Sequence, residues 1–274
     1  MSTTAPPNPS RAGRTVVLII VGAVVAAIIV WLSVAAVHAA TRPDASGTWE
    51  IEDRFDSVVV DGDLADVDIT YREVDRAELT LGQGGSGARL DLEHEVRGET
   101  LRVSLRHVRE FGVFQAPWLW LGDRTPRLEL VLPAALEREV TLALSTDAGD
   151  IHATGAFGDV TARSDIGDIE LRGSVASLDV RTDAGDVDAT DMSIGGDLTV
   201  QSVIGDVTLE LESLPSGIDV ETEAGELTVR LPEGRYAVST ETSLGDLELE
   251  VPNDPSATRR YDFASRIGDI TIRN

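Results

Sequence analysis

No cysteine and no lysine occur in the 274 residues. The first absence excludes disulfides, thiol nucleophiles and cysteine-ligated zinc, so stability has to come from packing and backbone hydrogen bonds. The second leaves arginine as the only strong base, which reads as coding bias in a GC-rich genome rather than as chemistry. Four histidines (His38, His94, His107, His152) are scattered with no metal-ligand spacing between any two. Positive charge is scarce as well. Residues 1–40 hold Arg11, Arg14 and no acid, so the other 234 carry 21 arginines against 48 acids, a formal charge of −27. Such a surface repels nucleic acid and anionic headgroups and favours cations or a basic partner.

Long hydrophobic runs are absent except for one. Residues 16–37 give 22 positions without a charge, a helix of ~33 Å against a hydrocarbon core of ~30 Å. Arginines before the run and acids after it orient the N-terminus to the cytoplasm. A cleaved signal peptide is the alternative, with small residues around Val37-His38-Ala39, although such peptides have shorter apolar cores. The expected organisation is a disordered cytoplasmic tail at 1–14, a transmembrane helix at 15–38, a linker at 39–48 and a β-strand-repeat domain at 49–274. Within that domain 49–135 is irregular and 136–274 regular.

What is abundant is one pattern: Ser/Thr, any residue, Ala/Ile/Leu, Gly, Asp/Glu, Ile/Val/Leu. It runs from Thr146-Asp-Ala-Gly-Asp-Ile151 to Ser265-Arg-Ile-Gly-Asp-Ile270 in seven copies, with glycines at Gly149, Gly167, Gly185, Gly205, Gly225, Gly245 and Gly268. Apolar residues alternate after each Gly-Asp (Ile151/Ala153, Ile169/Leu171, Val187/Ala189) and again half a repeat later (Val160/Ala162, Leu178/Val180, Leu198/Val200). Period two means strands with one apolar face. Two short strands and two turns fill 18–20 residues, one coil of a β-solenoid whose neighbours bury a core together. The fold class is therefore all-β, β-helix-like, behind one N-terminal transmembrane helix.

Glycine at a corner supplies φ > 0 or close backbone approach. The residue before it alternates small and large (Ala148, Ile166, Ala184, Ile204, Ala224), which predicts interdigitation in a stacked interior layer. Residues 58–69 look like a degenerate first coil. Residues 77–81 and 89–96 alternate around the glycine-rich 82–87, which predicts a hairpin, and residues 128–132 lead into the regular coils.

The motif is similar to that of the bacterial putative-adhesin family, also described as a β-strand-repeat domain of unknown function. The residues that carry the resemblance are Val60-Asp-Gly-Asp-Leu64, Val67-Asp-Ile69 and the seven Gly-Asp/Glu steps, covering about residues 49–274. The resemblance implies a structural motif with no catalytic residues to transfer, set behind one membrane helix, and in some members an accessory role in envelope-stress signalling.

Asp150, Asp168, Asp186 and Asp206 should stack along one edge, where Ca²⁺ is the ion such a ladder could hold. The alternative is that each carboxylate bonds its own turn backbone, and no cofactor is expected. Polysaccharide cleavage needs a groove with a raised-pKa acid opposite a second carboxylate, and the short turns build none. The GxGxxG spelling at 82–87 is followed by strand alternation rather than a helix, so it is no dinucleotide loop. Phe111, Phe114, Trp118 and Trp120 crowd one segment, either as a cap on the solenoid's end or as a contact for a partner. Two functions fit. One is a single-pass cell-membrane protein presenting a non-catalytic, adhesin-like module to an envelope protein or polymer; the other is an extracytoplasmic sensor of an envelope-stress system.

Overall fold

Alternating apolar residues dictate strands, and in the computed structural model the described residues, 47–82, 90–107 and 125–274, are almost entirely strands and turns. Seven opening strands are β1 (Gly47–Ile51), β2 (Ser57–Leu64), β3 (Asp66–Arg72), β4 (Ala77–Leu81), β5 (Leu90–Arg97), β6 (Thr100–His107) and β7 (Arg127–Pro133). The regular coils follow in pairs: β8 (Thr141–Ala148) with β9 (Ile151–Ala156), β10 (Asp159–Ile166) with β11 (Ile169–Val175), and β12 (Ser177–Ala184) with β13 (Val187–Ile194). Next come β14 (Asp197–Ile204) with β15 (Val207–Leu211), β16 (Gly217–Ala224) with β17 (Leu227–Arg230), β18 (Ala237–Leu244) with β19 (Leu247–Glu250), and β20 (Arg260–Ile267) with β21 (Ile270–Arg273). The transmembrane run and the aromatic segment at 111–121 lie outside the described residues. Among the described residues no helix is long and apolar enough to cross a membrane.

The first strand of each coil joins a ten-stranded sheet and the second an eleven-stranded sheet, so the solenoid is flattened into two faces. Coils pair in parallel, in register as in β10 with β12, whereas β11 with β13 shifts register between Arg172 and Gly173. The core lies between the sheets. Coil β12–β13 buries Leu178, Val180, Val187, Ala189, Met192 and Ile194, at roughly 1.5–3 kcal/mol for each large side chain. Two residues separate the strands at every Gly-Asp corner, whereas the opposite corner varies in length. That second corner absorbs the drift in repeat period.

The order of coils in space departs from their order in sequence at both ends. Strands β20 and β21 insert between β16–β17 and β18–β19. Likewise β2 and β3 lie between β6–β7 and β8–β9. Residues 58–69 do form a coil, but an interior one. The chain's last coil is thus hydrogen-bonded on both sides, and β18 and β19 become the sheet edges in its place. The predicted hairpin around 82–87 does not form. Strand β4 pairs with β1 and β7 in one sheet, while β5 pairs with β6 in the other. The turn at Gly98, with φ 65°, makes the hairpin of β5 with β6.

The outward excursion needs a return path, and residues 251–259 provide it. Asn253 donates to the carbonyl of Val238 at 2.9 Å and accepts from its amide at 3.0 Å, so a side-chain amide pairs an edge strand. Asp254 Oδ2 accepts from Arg235 Nε and Nη2 at 3.0 and 2.8 Å, and Oδ1 from the amide and hydroxyl of Ser256. The Ser256 hydroxyl first, then Arg235, hold this carboxyl at about 2. A depressed folded pKa stabilises above the unfolded value and loses that contribution as pH falls through the folded one. Asp254→Asn should therefore lower the melting temperature at pH 7, with the gap to wild type closing between the ordinary 3.8 and about 2. A gap that stayed constant down to pH 2 would refute the role of its charge.

Candidate functional site

The Gly-Asp corner leaves four backbone groups that strand pairing alone would not satisfy, and the motif answers them one by one. The amide of Gly167 donates to Ala184 of the next coil, and that of Ile169 to Asp186, at 2.9 Å each. The amide of Asp186 donates to Asp168 Oδ1, Asp206 to Asp186 Oδ1, and Glu226 to Asp206 Oδ1, all at 2.8 Å. At the ends of the run Asp168 donates to Asp150 Oδ1, and Asp150 to Asp66 Oδ1. The glycine carbonyl accepts from the Ser/Thr hydroxyl of the following coil: Ser164 to Gly149, Thr242 to Gly268 and Ser265 to Gly225, at 3.3 Å each. Thr182, Ser202 and Thr222 are buried at the same positions with no partner at hydrogen-bond distance. The motif's Asp, joined by its Ser/Thr at Ser164, Thr242 and Ser265, thus covers backbone groups of a corner that stacks on itself.

The carboxylates of Asp150, Asp168, Asp186, Asp206 and Asp269 bond the neighbouring coil, not their own turn. One oxygen of each candidate calcium ligand is thereby committed. Among the described residues no group of three or more His, Asp or Glu side chains could hold a metal ion. Carboxylates ~4.8 Å apart repel by roughly 0.9 kcal/mol per neighbour in water. An asparagine still accepts the amide and carries no charge, so Asp168→Asn with Asp186→Asn should be neutral or slightly stabilising. Asp186→Ala leaves the Asp206 amide without its acceptor and should cost about 1 kcal/mol. Ca²⁺ should raise the melting temperature no more than Na⁺ of equal ionic strength. A Ca²⁺-specific rise that vanishes in the double asparagine variant would overturn this.

The residues before the corner glycines are not interior. Ile166 is 62% exposed, Ile204 59%, Ile267 51% and Leu244 66%. The chain leaves the sheet at that position, so the side chain emerges on the solenoid's rim instead of entering the core. Adjacent coils hold these residues in register in the spatial order Leu64, Ala148, Ile166, Ala184, Ile204, Ala224, Ile267, Leu244. Insertion of the last coil is what lets Ile267 follow Ala224.

Sequence reasoning missed a second cluster, on the outer face of the eleven-stranded sheet. His152, Glu170 and Asp188 are in register on adjacent strands, with His152 Nε2 3.1 Å from Glu170 Oε2. Burial raises the Asp188 carboxyl above its ordinary value, a hydrogen bond from Thr208 opposes this, and Asp186, Glu170 and Asp168 add to it. All three occupy the second position after the motif acid, a signal present in the sequence once the coils are aligned. Phe111, Phe114, Trp118 and Trp120 lie outside the described residues.

Fold and corner together define an all-β solenoid repeat protein. The chain belongs to the Toastrack DUF4097 family, whose model matches residues 59–273. Among curated proteins none matches. A solved putative adhesin from Bacteroides fragilis is similar at 11% identity and TM-score 0.44, over 84% of this chain and 98% of that one. A putative adhesin from Parabacteroides distasonis gives 11% and 0.44 over 83% and 96%. A putative cell adhesion protein from Clostridium sporogenes gives 12% and 0.32 over 83% and 98%. At such scores the likeness adds no weight to the family match.

Proposed function

We propose that the protein is a single-pass cell-membrane protein whose repeat domain stands outside the cytoplasm as a non-catalytic, adhesin-like interaction module. One observation carries the reading: the motif's acids are engaged in holding coil to coil, so the repeated residues build a surface instead of a reaction centre. The uncharged run at 16–37 supports the anchor, and the charge of −27 outside it argues against nucleic acid as partner. The partner is an envelope protein or polymer, with Phe111, Phe114, Trp118 and Trp120 as a further contact on sequence grounds.

The test has two parts. Mass spectrometry of the membrane fraction should find residues 15–38 still attached; a mature N-terminus near Ala40 would remove the anchor. Crosslinking of the full chain in intact cells should capture an envelope component, and failure of the wild-type chain to capture anything would remove the interaction reading.

A further inference from the structure

We propose that the rim formed by the residues before the corner glycines is a docking site for an extended, cationic, proline-rich protein segment in polyproline II conformation. This rests on the interaction reading above and names its surface and its partner's chemistry. Large apolar side chains project at Ile166, Ile204 and Ile267, more than half exposed, on every second coil. Between them Ala184 and Ala224 form notches, and Ala148 forms a third before Ile166. Exposed isoleucines in a regular row are unusual on a surface so rich in charge, where lone apolar residues would need no explanation.

Charge decides what kind of partner fits. Acids lie on both sides of four rim residues: Asp147 and Asp150 around Ala148, Asp165 and Asp168 around Ile166, Asp183 and Asp186 around Ala184, and Glu223 and Glu226 around Ala224; at Ile204 only Asp206 follows, with Val203 before it. A second copy would bring acid rows against acid rows, and an anionic membrane surface would be repelled likewise. A basic segment is attracted along the unbroken flank of Asp150, Asp168, Asp186, Asp206 and Glu226, and by Asp147, Asp165, Asp183 and Glu223 on the other side. Arg266, 3.1 Å from Glu223, neutralises part of the flank beside Ile267 and marks that end of the site.

Spacing decides the partner's conformation. Coils are ~4.8 Å apart, so the notches repeat at ~9.6 Å. A polyproline II helix rises ~3.1 Å per residue with three residues per turn, presenting every third side chain at ~9.3 Å. The mismatch is about 0.3 Å per notch. An α-helix presents its seventh residue at about 10.5 Å, and the error grows by roughly 0.9 Å per notch. A strand laid along the rim repeats one face at ~6.8 Å and fits neither. The match therefore selects an apolar residue at every third position, with arginine or lysine between.

The test uses the full chain in mild detergent and a fluorescent peptide of three Leu-Pro-Arg repeats. Its control has the same composition with the leucines made contiguous. Anisotropy should show the repeating peptide binding at least tenfold more tightly than the control. Ile166→Ser with Ile204→Ser should abolish that preference without moving the melting temperature appreciably, since both side chains are exposed. Equal affinity for the two peptides, absence of binding, or a preference that survives the double substitution overturns the proposal. So does a wild-type dimer, seen by sedimentation, that the double substitution dissociates, since the rim would then serve a second copy. If the double variant still captures the wild-type envelope partner on crosslinking, the rim fails while the interaction module stands.

Discussion

Gly205→Ala should destabilise the protein by about 3–5 kcal/mol and lower its melting temperature by roughly 6–20 °C. Gly205 has φ 143°, a region closed to side chains, and a Cβ there would fall on the carbonyl oxygen of Gly185 in the neighbouring coil. That oxygen belongs to a backbone bonded along the stack, so nothing flexible can move aside. The strain and the overlap add, because relieving the second requires the coils to separate. Gly98→Ala is the control. Gly98 also has positive φ, at 65°, but a Cβ there meets nothing within 4 Å, and the cost should be about 1 kcal/mol. Equal shifts for the two variants would contradict the close-approach role.

Deleting residues 260–274 should unfold more than the residues removed. A last coil at the end of a solenoid could be lost with little effect, since each coil contacts only its neighbours. Here the deletion takes out Tyr261, Phe263, Ile270 and Ile272, all fully or almost fully buried, from between two other coils. Tyr236 loses its ring partner at 5.2 Å and the Asn274 acceptor of its hydroxyl. Each lost aromatic is worth roughly 3–5 kcal/mol. Strand β18 and strand β19 should then lose amide protection in hydrogen exchange although every one of their residues remains, while the stack up to β17 keeps it. Full protection of residues 237–250 in the shortened chain would mean that the outer coil slides inward, contrary to expectation.

The outer coil is already the weakest. Leu247 and Leu249, counterparts of fully buried residues in the next coil, are 47% and 38% exposed. The return segment at 251–259 and its Asp254 centre hold it in place, which is why acid should loosen this end first.

The repeat was legible because its causes are local. Alternation after each Gly-Asp, and again half a repeat later, marks strands wherever a segment has one buried face, and it places β9 to β19 and β21. The glycines were read as corners for a sound reason, yet their main constraint is the approach of the neighbouring glycine's carbonyl, which no single repeat displays. Alternation also misled. Ile166 and Ala184 sit at inward positions by parity, and parity fails at the residue where the chain leaves the sheet, so alternation alone assigns a rim to the core. The Asp side chains were seen as turn acceptors, correct in chemistry and wrong in partner, because the amide they meet lies about twenty residues away.

By itself, then, the sequence determined an all-β repeat, its period, its corner residues and its acidic surface, since each follows from the spacing of residue types along one strand or turn. Only the tertiary structure decided which coil lies beside which. Every coil offers the same ladder of amides and carbonyls and nearly the same apolar face, so pairing strength cannot rank one neighbour above another. The choice falls to features outside the repeat: the long return at 251–259, the stack of Tyr236 on Tyr261, and the antiparallel strands β1, β4 and β5 that close the opposite end. These bury the last coil in sequence inside the stack, where its hydrogen bonds are completed on both sides, and leave β18 and β19 outermost.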